Sequence, residues 1–206
     1  MPDYLFLMES RLHPAQWKAI VQVQQAAETL GMNVYLAGGA VRDLIGGFPI
    51  EDLDFVVEGK ALKLVQELVR AMVRVSWRNE AAQAAHLEFA AGIVAGVSMA
   101  RAGIGANSSR LPAGPATILD DLRRRDFSIN AIGISLNPHS RGLLLDPTNG
   151  VADLEKKELR ALHPNGFLLE PIRLLRAVHF RTRLHFAFEP KTAAQFQNAK
   201  ESKVWE

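Results

Sequence analysis

The 206-residue chain has no cysteine, which rules out disulfides, zinc-thiolate sites and thiol nucleophiles. Its start, Met1-Pro2-Asp3-Tyr4, lacks a basic region followed by an apolar run and does not read as a secretory signal. Long hydrophobic runs are missing too. The most apolar stretch, Phe89 to Ala100, lies between Glu88 and Arg101 and is too short to cross a bilayer. The expectation is therefore a cytoplasmic protein without a membrane partner. Excess charge is also absent, the formal net charge being +2, so no overall basic field draws the chain to nucleic acid. The basic residues instead gather locally, at Arg123-Arg124-Arg125 and at Arg173, Arg176, Arg181 and Arg183, a pattern that points to phosphate or nucleic acid. What is present in quantity is apolar: 48% hydrophobic residues suffice for the core of one domain, or one domain and part of a second.

The most informative feature is Gly38-Gly39-Ala40-Val41-Arg42-Asp43 followed by Asp52-Leu53-Asp54. Val34-Tyr35-Leu36-Ala37 is apolar and β-favouring, and it stops at two glycines, where the backbone can turn tightly and present N–H groups to a phosphate before a short helix opens. Asp52 and Asp54 are separated by one residue ahead of the strand-forming Phe55-Val56-Val57, so on a strand both carboxylates project from one face. Two hard oxygen ligands on one face suit Mg²⁺, which takes one or two carboxylates and fills its shell with substrate phosphates and water. The spacing of Gly38 and Gly39 does not match the Gly-x-Gly-x-x-Gly of dinucleotide-binding oxidoreductases.

Three further motifs follow in order. Arg124-Arg125-Asp126-Phe127-Ser128-Ile129-Asn130-Ala131 is succeeded by Asp146-Pro147-x-x-Gly150-x-x-Asp153-Leu154, then Glu170-Pro171-x-Arg173-x-x-Arg176-Ala177. On these four elements the chain resembles the class II tRNA nucleotidyltransferases, a family that includes CCA-adding, CC-adding and A-adding enzymes and bacterial poly(A) polymerases. The resemblance implies an α+β fold: a nucleotidyltransferase head with a small mixed, mostly antiparallel sheet and flanking helices, over about residues 1–140. A helical neck would start at 141–206 and be truncated.

It also implies roles. Asp52 and Asp54 are the catalytic metal ligands; Gly38, Gly39 and Arg42 hold the triphosphate, Arg42 because a guanidinium makes bidentate bonds to phosphate. Arg125 contacts the incoming nucleotide and Asn130 helps hold that element in place. Glu170 and Arg173 form an amino-acid template for the base, and Arg176 and His179 complete the nucleotide-binding set. The template chemistry is simple. Cytosine and adenine each show an exocyclic amine beside a ring-nitrogen acceptor, which a carboxylate and an arginine match, whereas uracil and guanine reverse part of that pattern. The expected reaction adds C or A from CTP or ATP to a tRNA 3′ end with Mg²⁺. An A-adding enzyme, a poly(A) polymerase or a non-catalytic RNA-binding fragment are the rival readings.

The chain departs from the family pattern in places. Gly96 stands where a third acidic residue is often found, Glu170 replaces an aspartate, and His179 replaces an arginine. Asp146, Gly150 and Asp153 read equally as a turn or a hinge. His86, His163 and His185 have no partner at metal-ligand spacing.

Patterning predicts helices over His13–Leu30 and Ala61–Met72, and strands over Val73–Trp77, His86–Ala90 and Ile93–Ala100. A loop is predicted over Gly103–Pro115, a short helix starting at Arg124-Arg125-Asp126, and helix from Leu168 to near the end. On the last helix, Arg173, Arg176, Phe180 and Arg183 form one stripe, while Leu174, Leu175 and Val178 are expected to pack inward.

Overall fold

A computed structural model describes residues 3–103 and 116–202. Most of the loop predicted over Gly103–Pro115 lies outside them. The chain opens with α1 (Tyr4–Arg11), an element the apolar pattern did not announce, capped by the Asp3 carboxylate. Next comes α2 (Pro14–Thr29), with Pro14 at its first position and a reciprocal His13–Gln16 cap. Then follow β1 (Val34–Ala37), α3 (Gly39–Gly46), β2 (Leu53–Val57), α4 (Ala61–Arg70), β3 (Arg74–Asn79), β4 (Ala84–Glu88) and β5 (Val94–Met99). Beyond residue 116 are α5 (Ile118–Arg123), β6 (Gly133–Ser135), β7 (Leu144–Leu145), α6 (Gly150–Lys156), β8 (Glu158–Leu159), α7 (Gly166–Leu169), α8 (Ile172–Leu184), β9 (Ala187–Phe188) and α9 (Pro190–Glu201).

Seven strands form one sheet in the order β3-β4-β5-β2-β1-β6-β7. All neighbours are antiparallel except β2 and β5, which run parallel. The sheet is thus mixed and mostly antiparallel, within an α+β fold. One face is buried under α2 and α4, where Ile20, Val23, Leu64 and Leu68 meet Leu36, Phe55, Leu87 and Val97 in the main core. On the other face Ile118 and Leu122 of α5 pack on Tyr35, Ala37 and Val56. A separate cluster joins Phe127 and Ile129 to Phe167, Leu174, Phe180, Leu184 and Phe186, tying the later helices to the sheet unit.

Three local expectations are corrected. Arg124-Arg125-Asp126 does not start a helix but follows the end of α5, with Arg124 as its C-cap. The start lies at Thr117, whose hydroxyl and the Asp120 carboxylate make a capping box that was present in the sequence. The predicted continuous helix from Leu168 is broken at Glu170-Pro171, as a proline disfavours helical geometry in the residue before it. Within α8, Leu174 is buried, yet Leu175 is 68% and Val178 50% exposed. The inward positions belong instead to Arg173, Leu174, Ala177 and Phe180.

Candidate active site

Where β1 stops, Gly38 adopts φ 70° and ψ −130°, a conformation that excludes side chains, and α3 begins at once. Its N–H donates to the Ile132 carbonyl at 3.0 Å, so the turn is closed on β6 and that donor is not offered to a phosphate. Space also demands glycine here, because a Cβ would collide with Nη1 of Arg125. The first glycine therefore admits an arginine.

Asp54 lies in β2, and Asp52 just precedes that strand. Both side chains are reached by solvent. They form the floor of a cleft of about 580 Å³. All eleven residues singled out from the sequence line it: Gly38, Gly39, Arg42, Asp52, Asp54, Arg125, Asn130, Glu170, Arg173, Arg176 and His179. Asp43, Asp126, Phe180 and Arg183 line it too, although none of them was among the site residues expected from the sequence.

The wall is made of arginines, each held from behind. Buried Arg42 donates Nε and Nη2 to the two Asp43 oxygens at 2.9 and 2.8 Å, and Nη1 to Asn130 Oδ1 at 2.7 Å. The same Asp43 accepts from Arg183 Nη2 at 3.0 Å, across 140 positions of sequence. Asp121 is 1% exposed and takes both of its neighbours: Arg124 on Oδ1, at 3.0 and 2.8 Å, and Arg125 on Oδ2, at 3.2 and 3.0 Å. Arg125 Nη1 then donates to the Asn130 carbonyl at 3.1 Å. Asp126 accepts from Arg176 Nε at 2.6 Å, from Asn130 Nδ2 at 3.0 Å and from the Phe127 N–H at 2.8 Å. Two guanidinium groups lie over the Phe180 ring, that of Arg42 at 5.0 Å and that of Arg176 at 5.3 Å from its centroid. Arg173 donates Nε to Glu170 at 2.8 Å, and its other nitrogens reach the carbonyls of Arg124 and Arg125 at 3.4 Å. His179 stands edge-on to Phe180.

Burial pushes the Asp126 carboxyl up, but the Arg176 charge, with bonds from Arg176, Asn130 and Phe127, outweighs it and leaves the group below its ordinary value. Asp54 goes the other way. Desolvation raises its pKa; Arg125 opposes this, Asp52 adds to it, and Arg42 and His86 also oppose it. Among the described residues, neither Asp52 nor Asp54 belongs to an ion pair, unlike Asp43, Asp121 and Asp126. Nor does any third His, Cys, Asp or Glu complete a metal-binding group with them, so two carboxylates and an open cleft constitute the donor set.

The Asp146 motif is not in the cleft. Its carboxylate accepts the N–H groups of Gly150 and Val151 at 2.7 and 2.9 Å, capping α6, while Asp153 accepts from Ser128 and Arg160. Arg181 stacks over Phe188 instead of facing the cleft. His163 and His185 do not line it either.

Residues 34–160 match the poly(A) polymerase head domain. The chain belongs to that family. It is 39% identical over 188 residues to an A-adding tRNA nucleotidyltransferase of Halalkalibacterium halodurans, covering 91% of this chain and 44% of that protein. A CC-adding tRNA nucleotidyltransferase of Deinococcus radiodurans is 38% identical over 166 residues, covering 80% of this chain and 44% of that one. Among solved structures, a CCA-adding enzyme in complex with ATP superposes with a TM-score of 0.85 at 33% identity, over 99% of this chain and 47% of that one. A tRNA nucleotidyltransferase complexed with a primer tRNA and an incoming ATP analog gives 0.77 at 38% identity, over 88% and 51%. The head-domain chain thus spans about half the length of these relatives or less. Among its described residues, no helix is long and apolar enough to cross a membrane.

Proposed function

We propose that this head-domain chain carries the catalytic site of a tRNA 3′-end nucleotidyltransferase, transferring C or A from CTP or ATP to the 3′-hydroxyl of tRNA with release of pyrophosphate. One observation carries the reading: two solvent-reached aspartates, in no ion pair among the described residues, face a wall of arginines whose own charges are already fixed by buried carboxylates. Such a site is short of cations on its floor and rich in donors on its wall. It is complementary to a divalent ion bound to a triphosphate. The relatives named for A addition, CC addition and CCA formation agree with that chemistry.

Asp52 and Asp54 fit Mg²⁺, an ion that needs only one or two carboxylates when phosphates and water complete its shell. When bound, Mg²⁺ would lower the pKa of the attacking hydroxyl and offset charge on the leaving pyrophosphate. The chain's own groups do the positioning. Arg42 is 4% exposed with its fork committed to Asp43 and Asn130, and so acts mainly through its charge. Arg125, Arg176 and Arg183 are more open and would hold phosphate oxygens, with His179 beside them. Glu170 accepts from the exocyclic amine of cytosine or adenine while Arg173 donates to the ring nitrogen, and their 2.8 Å bond sets the spacing of the two. In this reading residues up to about 140 form the head and the later helices begin a neck.

The test incubates the chain with Mg²⁺, labelled CTP or ATP, and tRNA transcripts ending before CCA, after one C and after two. Extension of the transcripts in template-independent fashion by C, A or both is expected. Absence of any incorporation would overturn the reading, and unlimited A tails would move it to a poly(A) polymerase.

A further inference from the structure

The arginine side of the cleft lies towards β1, followed by the helix that carries Arg42, and β6, preceded by the segment that carries Arg125 and Asn130. On the other side of Asp54 the sheet continues through β5, β4 and β3, and its open face has a specific composition. Asp54 pairs with Gly96, Gly96 with His86, and His86 with Trp77. Residues opposite one another on neighbouring strands share a face, so these four form one row across the sheet. At strand spacings of about 4.8 Å, His86 lies about 10 Å and Trp77 about 14 Å from Asp54 along it.

Three features of the row are unusual for a plain sheet surface. Trp77 is 46% exposed and stands outside the hydrophobic clusters of the described residues, whose apolar contacts on β3 come from Val75. Its ring partner is His86, also exposed, with centroids 4.9 Å apart and planes inclined by 40°. Between these rings and the Asp54 carboxylate the row itself bears no side chain. Gly96 leaves a bare step, and a Cβ there would stand 3.0 Å from Asp54 Oδ1.

We infer that Trp77 and His86 are the stacking platform for the 3′-terminal base of the single-stranded RNA primer, with Gly96 the gap across which its ribose presents the 3′-hydroxyl to Asp54. The inference rests on the proposed transferase reading and adds to it where the second substrate enters. In-line displacement requires the attacking and leaving oxygens on opposite sides of the α-phosphate. The arginine wall occupies one side of Asp54, and the ring row approaches from the other. Every base has a π-face, so a platform of this kind accepts a terminus that changes identity as the end grows.

The experiment has two arms. In the first, the tryptophan fluorescence of the chain is titrated with a short RNA ending in CC, without Mg²⁺, and compared with Trp77→Phe. Quenching in the parent that is lost in the variant is expected; equal quenching in both, or quenching by ATP alone, would overturn the platform. In the second arm, kcat and KM are measured for primer and for ATP with Trp77→Ala, Trp77→Phe and His86→Ala. Primer KM should rise roughly tenfold in Trp77→Ala, less in Trp77→Phe, which keeps a ring, and ATP KM should stay put. A primer with an abasic 3′-terminal sugar should erase the difference between parent and Trp77→Ala. If that difference persists, or primer KM never moves, the inference fails while transfer itself stands. If the parent extends no primer, the transferase reading fails, and the fluorescence arm still decides the platform.

Discussion

Asp52 and Asp54 at the mouth of β2, and Asp43, Asp121 and Asp126 behind the arginine wall, are the same chemical group in two situations. The first pair is open to solvent and has no ion-pair partner among the described residues; the other three are buried, and each neutralises one or two arginines. A buried carboxylate that pairs with arginine fixes geometry, since removing either partner strands a charge in a poor solvent. An exposed carboxylate without a partner is poorly solvated from beneath and gains most from an incoming cation, which agrees with the raised pKa of Asp54. The proposed function thus assigns the chemistry to the carboxylates that form no ion pair among the described residues, and to the paired ones the holding of the arginines.

The contrast is broken most directly by exchanging outcomes. Asp52→Asn and Asp54→Asn should each lower kcat for nucleotide addition about 100- to 1,000-fold, the range of losing a principal electrostatic element, with unfolding stability unchanged or slightly raised. A variant that keeps near-parent activity in the tRNA assay would remove that aspartate from the metal site. Asp121→Ala should show the opposite balance. It strands Arg124 and Arg125, costs about 3 kcal/mol in urea unfolding, and reduces activity only because Arg125 is no longer fixed. Activity falling with stability intact would mean that Asp121 acts in the cleft itself.

Gly38→Ala sharpens the comparison from the backbone. It forces a side chain into φ 70°, ψ −130° and against Arg125, so we expect a cost of about 1–3 kcal/mol together with a raised KM for CTP and ATP. Nucleotide KM at the parent value would uncouple the turn from the arginine. The smallest effects concern acid and the outer face of α8. The folded pKa of Asp126 is depressed, so its contribution is present above its ordinary value of 3.8 and lost as pH falls through the lower folded value. Stability should therefore decline below about pH 3.8, and Asp126→Asn should flatten that decline in thermal unfolding. Leu175→Lys should change stability by no more than about 0.5 kcal/mol, against about 3 kcal/mol for Leu174→Ala.

Local chemistry was legible in the sequence wherever neighbours in the chain supply it. A β-favouring run ending at two glycines gave β1, the turn and α3, the Asp52–Asp54 spacing located the cleft floor, and an amphipathic period marked α4 over Ala61–Arg70. Even the misplaced elements left local traces: the Thr117–Asp120 capping box marks the true start of α5, and Pro171 marks the break before α8. The reason is that turns, caps and periodicity depend on a few consecutive residues. Only the tertiary structure decided which charges meet. Arg42 reaches Asn130 across 88 positions, Asp43 reaches Arg183 across 140, and the parallel pairing of β2 with β5 sets Gly96 beside Asp54 with His86 one strand further. The first and last come from the order in which strands are laid side by side, and the Asp43–Arg183 pair from α8 lying against α3. It also set which face of α8 is buried, since the arginines turned toward the cleft left Leu175 and Val178 outside, an outcome of packing that helical spacing alone does not contain.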